Sequence, residues 1–228
     1  MMKFQYSSLE DCHKAKGIVI VIDVLRAFST AAYAFSLGAT GILLVSTVEE
    51  ALALRPLIPN SKAMGEVNGI RPDGFDFGNS PTYLSQENLS GVTMIQRTTA
   101  GTQGVVRSQN ADVLLASSFV VANATVQYVN KLGSDQVTFV ITGKDFGGGD
   151  EDLACAEYLE ALLKGQTPDP LPFIRRVFNS RDASQHLDPN KIGFPYSDLE
   201  YCTQIDQFDF AMPIERNDGR LIMRCIKP

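Results

Sequence analysis

Asp23 stands three residues ahead of Arg26, Glu66 shares a loop with Asp76 and Asn79, and Arg97 leads directly into Thr98, Thr99 and, after Ala100 and Gly101, Thr102. Each group follows a short apolar run. Carboxylates with an Asn suit Mg²⁺, which takes oxygen ligands, keeps several waters and is usually held by one or two carboxylates together with phosphate oxygens. Arginine forks suit phosphate or sulfonate oxygens bidentately. Taken together, the three groups point to metal-assisted phosphoryl transfer, where catalysis is mostly positioning and charge neutralisation. Plainer roles stay open for each. Asp23 can cap the helix that follows it, Asn79 and Ser80 can form the turn before Pro81, and Thr98 with Thr102 can be a helix cap beside a glycine turn.

Composition narrows the alternatives. The 20 Lys and Arg against 26 Asp and Glu leave a formal charge of −6 with no basic run, which disfavours nucleic acid as a partner. An anionic small molecule needs only a few local cations and backbone N–H groups, so it is not excluded. Two histidines, His13 and His186, give little support to a histidine metal site or a Ser-His-Asp triad. Cys12, Cys155, Cys202 and Cys225 are too widely spaced for a zinc or redox motif, and are expected to be reduced and mostly buried. No apolar run reaches the roughly 18 residues of a membrane helix, and the N-terminal stretch lacks the apolar core of a signal peptide. A cytoplasmic protein is expected.

The elements that must carry these residues alternate. Ile18 to Ile22 is apolar and β-branched on both faces, as in a buried parallel strand, and Asp23 follows at its carboxyl end, where ligands bind in open α/β sheets. Further strands are expected at 42–46, 62–64, 92–96, 111–116 and 136–142, with helices at 28–37, from Thr47, at 118–132 and at 151–164. Residues 65–81 form a long loop whose Phe75 and Phe77 give it something to pack, so it is expected to be ordered and functional. The turn from Thr98 to Thr102, with Gly101, can present N–H groups and hydroxyls to an anion. Asp150, Glu151 and Asp152 suit a helix dipole, while Lys144 and Asp152 stand as secondary site candidates. The expectation is an α/β fold, a three-layer α/β/α arrangement with a largely parallel or mixed central sheet over residues 1–165. A smaller C-terminal α+β subdomain over 166–228 covers it, with a hairpin from 210 to 226 turning at Asn217-Asp218-Gly219. A homodimer closed across that tail is compatible with the sequence.

Two familiar phosphate templates do not fit. Gly143-Lys144 lacks the upstream glycine and following hydroxyl of a P-loop. The haloacid-dehalogenase pattern needs a second Asp where this chain has Leu25.

The segments VIDVLRAFST (21–30), Gly65-Glu66, GFDFGNSP (74–81), the turn 98–102 and EDLACAEYL (151–159), in that order, resemble the 2-phosphosulfolactate phosphatases. The likeness covers roughly 17–164 and thins beyond it, although Gly193-Phe194, Asp198, Cys202 and Pro213 look like family positions. The resemblance implies an α/β Mg²⁺-dependent acid phosphatase acting on the phosphate ester of a 2-hydroxy acid, with 2-phospho-3-sulfolactate as reference compound, on the way to sulfolactate or coenzyme M. Carried over by position, Asp23, Glu66 and Asp76 become the metal and water-handling acids. Arg26, Asn79, Ser80, Thr98, Thr99 and Thr102 would surround the phosphate, carboxylate or sulfonate, with Arg97 and Gly101 beside them. Val67-Asn68-Gly69 and Ala100 depart from the family pattern in the pocket lining and bear on substrate identity. Two other readings stay open, a non-catalytic anion-binding protein and a phosphatase for a different phosphorylated 2-hydroxy acid.

Overall fold

A computed structural model of the chain describes residues 2–143 and 147–228; Lys144 lies outside the described residues. The chain runs β1 (Lys3–Ser8), β2 (Ile18–Ile22), α1 (Ala27–Ser36), β3 (Gly41–Leu44), α2 (Val48–Leu54), β4 (Ser61–Gly65), α3 (Pro81–Leu84), β5 (Thr93–Arg97) and α4 (Gly101–Arg107). It continues through β6 (Val113–Ser117), α5 (Ala122–Leu132), β7 (Gln136–Ile141), α6 (Asp150–Leu163), α7 (Leu171–Asn179), α8 (Ser184–Leu187), α9 (Ser197–Cys202), β8 (Met212–Asn217) and β9 (Arg220–Met223). The nine strands of the described residues join one mixed sheet in the order β1-β7-β2-β6-β8-β9-β3-β5-β4.

Every residue of β2 is buried, and the strand pairs in parallel with β6 on one side and β7 on the other, as an apolar run without alternation requires. β1 is an edge strand parallel to β7. Its irregular exposure and polar content carry no strand signal strong enough to read in the sequence. β3, β5 and β4 form a second parallel set. Between the two sets lies the hairpin β8–β9, antiparallel to β6 on one side and to β3 on the other. The two parallel sets therefore run in opposite senses. While α7, α8 and α9 of the tail cover the core, its hairpin is built into the middle of the sheet.

This insertion positions the site. β5 lies five strands along from β2 in the sheet order, and a twist of roughly 20–25° per strand turns the sheet by about 100–125° over that span. The sheet thus wraps around α1 and α4, and α4 touches strands of both sets. Val19 and Val21 from one set and Leu44, Met64 and Met94 from the other close on Phe28 and Ala31 in a single cluster. On the opposite face α5 and α6 pack against Ile20, Ile22 and Phe139, and α2 packs through Ala51 against Leu43 and Ile95. The result is the three-layer α/β/α arrangement. No helix among the described residues is long and apolar enough to cross a membrane.

The 66–80 loop is held by its aromatics. Phe75 is buried against the α2 layer, Phe77 packs on the central cluster, and the Phe77 carbonyl accepts the Gly65 N–H at 3.2 Å. Gly65 has φ +137°, and a Cβ there would stand 1.8 Å from the Arg97 carbonyl oxygen. Gly65→Ala is therefore expected to destabilise the protein by more than about 1 kcal/mol, since both the backbone conformation and the strand contact resist it; a urea titration would measure the loss.

Candidate active site

Asp23, the first residue after β2, is 5% exposed. Its Oδ1 accepts the Ala27 N–H at 2.8 Å, so the capping role is real and occupies one side of the carboxylate. The other side faces the start of α4, where a Cβ on Gly101 would lie 2.7 Å from Oδ2. Only glycine lets α4 begin this close to Asp23. The Leu25–Arg26 peptide bond that follows is cis.

Asp23 opens onto a cavity of about 280 Å³, lined as well by Glu66, Glu151, Asp152 and Asp182. Glu66 reaches it from the end of β4, and its carboxylate accepts the N–H groups of Gly69 (2.6 Å) and Thr99 (2.5 Å) and the Thr99 hydroxyl (2.9 Å). Glu66 thereby ties the β4 loop to the β5 loop. Asp152 is in the first turn of α6. It accepts the Val24 N–H at 2.8 Å and, through its other oxygen, the Thr142 hydroxyl and Gly143 N–H at 3.1 Å. Glu151 beside it is 2% exposed, and its Oε2 has no hydrogen-bond partner among the described residues. The same holds for Asn79 Oδ1, which lines the same cavity.

Crowding of carboxylates away from water sets their protonation. Burial, reinforced by Glu66 and Asp182 and opposed by the Ala27 N–H, pushes Asp23 up to about 7. Burial with the Asp182 charge pushes Glu151 up to about 8. Burial and the charges of Glu151 and Asp23 hold Asp152 well above the usual carboxylate range. His186, whose Nδ1 lies 2.9 Å from the Pro195 carbonyl, is pushed below its ordinary range by burial and stays neutral.

Several residues expected at the site do not line this cavity and are held by other partners. Asp76 is not brought to the cavity. Its two oxygens are taken by Arg55 Nη2 at 2.6 Å and by the Ala63 N–H at 2.8 Å, which pins the loop along β4. Among the described residues no three His, Cys, Asp or Glu side chains converge as a ready-made metal cage, and the trio Asp23, Glu66 and Asp76 is not assembled. Arg97 is turned away as well, its guanidinium donating to the carbonyls of Glu66 (2.8 Å) and Ser46 (3.4 Å). Thr98 and Thr102 satisfy each other at the start of α4. Ser80 caps α3 and donates to Asp198 at 2.7 Å. Arg26, Asn79 and Thr99 do line the cavity, together with Asp23, Glu66 and Asp152.

Sequence reasoning passed over Glu151, Asp182, Gln185 and His186, all of which line the cavity. Glu151 carried a usable signal, because its acid run follows β7 as Asp23 follows β2. The other three come from the tail and had none. Asp76→Asn is expected to cost about 1 kcal/mol, the scale of a partly exposed ion pair, and to leave turnover largely intact; loss of activity in a folded variant would return Asp76 to the site.

A carboxylate-lined cavity at the strand ends of an α/β sheet is the place where proteins of this fold class bind small ligands. Residues 5–217 match the family model described as 2-phosphosulpholactate phosphatase, and the chain belongs to that family. A protein of Bacillus subtilis (strain 168) named probable 2-phosphosulfolactate phosphatase is 37% identical over 205 residues, covering 90% of this chain and 89% of its own. Similar proteins of the same name from Carboxydothermus hydrogenoformans and Thermotoga petrophila are each 34% identical, covering 90% and 83% of this chain and 89% and 85% of their own.

Proposed function

We propose that the chain is a Mg²⁺-dependent phosphatase that hydrolyses 2-phospho-3-sulfolactate to 3-sulfolactate and phosphate, a step toward sulfolactate and coenzyme M. The family and the names of its relatives support the reaction and the substrate. The observation that carries the metal dependence is the charge of the cavity. Five carboxylates line a space that must receive a multiply charged anion; burial holds Asp23, Glu151 and Asp152 toward their protonated forms while no cation is there, and once ionised they repel the anion unless a cation enters with it.

The donor set fits Mg²⁺. Asp23 and Glu151 would hold the ion, with Asn79 as a neutral oxygen ligand, because all three residues line the cavity and both Glu151 and Asn79 carry a buried oxygen with no hydrogen-bond partner among the described residues. When bound, Mg²⁺ supplies positive charge that neutralises the phosphoryl oxygens and lowers the proton affinity of the acids around it. Asp23 also takes the proton of the attacking water. The water oxygen forms the new bond to phosphorus as the ester P–O bond breaks, and Asp23 passes the proton on to the departing oxygen, which becomes the hydroxyl of the product acid and leaves the carboxylate ionised again. Asp152, fixed by three donors, ties the Val24 backbone after β2 to the Gly143 backbone after β7. Glu66 holds Thr99 against it.

A cytoplasmic location belongs to the same proposal, in keeping with four free thiols. Phosphate release from 2-phospho-3-sulfolactate and from 2-phospholactate, each with Mg²⁺ and with EDTA, tests the reading. Metal-dependent release that favours the sulfonate is expected. Release from neither, by folded protein, would shift the assignment to anion binding without turnover.

A further inference from the structure

Arg26 is 4% exposed and stands where two cavities meet, the acid-lined one and a neighbour of about 490 Å³ whose walls include Arg71, Asp76, Phe77, Ser80, Tyr83 and Glu87. Its Nη1 donates to Asp198 Oδ2 at 2.6 Å and to the Gly193 carbonyl at 2.7 Å, and its guanidinium lies 4.4 Å over the Phe194 ring. Among the described residues Nε and Nη2 have no hydrogen-bond partner. Asp198 is fully buried, and its second oxygen accepts the Ser80 hydroxyl (2.7 Å) and the Thr82 N–H (3.0 Å). A single carboxylate of the tail thus gathers the entry to α1 and the cap of α3.

A guanidinium beside a cavity with five carboxylates would ordinarily turn onto them, since a buried cation seeks the nearest opposite charge. That orientation would neutralise the acids intended for the metal and spend the donors intended for the substrate. Asp198 offers a competing charge from the far side, and the Phe194 face gives the planar cation a seat.

We propose that Asp198 is a positioning residue, holding Arg26 turned away from the acid cluster so that its free edge receives the second acid group of the substrate, a carboxylate or sulfonate, while the phosphate occupies the acid-lined cavity. The inference rests on the phosphatase reading. The ion pair is worth keeping in this buried place because it sets where a fork of donors points, which a neutral pair of the same size would not do.

The test is calorimetric binding of 3-sulfolactate and of inorganic phosphate, each with Mg²⁺ present. Asp198→Asn is expected to weaken 3-sulfolactate at least about tenfold, the scale of one charge-assisted hydrogen bond, while phosphate weakens by a smaller factor. Phe194→Leu removes the seat without stranding a buried charge, so it folds where Asp198→Asn fails to, and is expected to shift the same ratio in the same direction. Thr82→Ala, which cuts the Thr82–Ser197 hydroxyl contact joining α3 to α9, is expected to lower the melting temperature without changing the ratio. Equal losses for both ligands, or an unchanged ratio in both Asp198→Asn and Phe194→Leu, would overturn the positioning role. Wild-type protein that binds neither ligand would instead overturn the phosphatase reading, and this inference with it.

Discussion

Asp23→Asn is expected to lower kcat by about 10³-fold, the contribution of a positioned general base, while raising the melting temperature of the metal-free protein at pH 8. The two effects have one cause. The carboxylate shares its cavity with Glu66, Glu151, Asp152 and Asp182, and burial with the charges of Glu66 and Asp182 lifts it to about 7. At pH 8 the metal-free protein must keep it ionised at a cost in stability. Asn keeps the shape, still accepts the Ala27 N–H through its carbonyl oxygen, and removes the charge. Steady-state rates and thermal melts on one preparation check both parts. Activity within tenfold of wild type would remove Asp23 from the chemistry, and a lower melting temperature at pH 8 would mean that capping α1 outweighs the repulsion.

Metal-free wild-type protein is expected to lose stability as pH rises from about 4 to about 8, and Mg²⁺ is expected to restore it at the upper end. Asp23 and Glu151 have ordinary values of 3.8 and 4.5 and folded values of about 7 and about 8. Between these limits the folded state binds more protons than the unfolded one, so the stabilisation is fully present below the unfolded values and is lost through the folded ones. Each such proton contributes up to about 1.4 kcal/mol per pH unit within the window. Mg²⁺ substitutes for the lost protons, so it should raise the melting temperature strongly at pH 8 and little at pH 5. Melts across that range with Mg²⁺ or EDTA give the answer. A larger Mg²⁺ effect at pH 5 than at pH 8 would contradict the acid cluster as the metal's seat.

The strand at 18–22 with Asp23 at its end, the helix start at Thr47, and the packed loop between Glu66 and Ser80 were all legible in the sequence. They rest on short-range causes: two-faced burial of β-branched residues, a hydroxyl satisfying a helix N–H, and aromatics anchoring a loop. The family could be read for the same reason, because its motifs are loop strings at strand ends. What Asp76 does was not legible. It resembles Asp23 in type and setting, and only the fold brings Arg55 to within 2.6 Å of it.

The path of the sheet was likewise decided in three dimensions. An Asn-Asp-Gly turn announces a hairpin, yet nothing local says that its strands will enter between β6 and β3 and set the two parallel sets in opposite senses. That depends on which exposed edges remain to be paired once each set has formed. From the same long-range pairing comes the tail's descent over the cavity, which adds Asp182, Gln185, His186 and Asp198's hold on Arg26. The sequence by itself determined the central strands with most of their flanking helices, the acids at the ends of β2 and β4, and the family. Tertiary structure alone decided which acids share a cavity and which cation stands beside them, because charges act on one another through space and not along the chain.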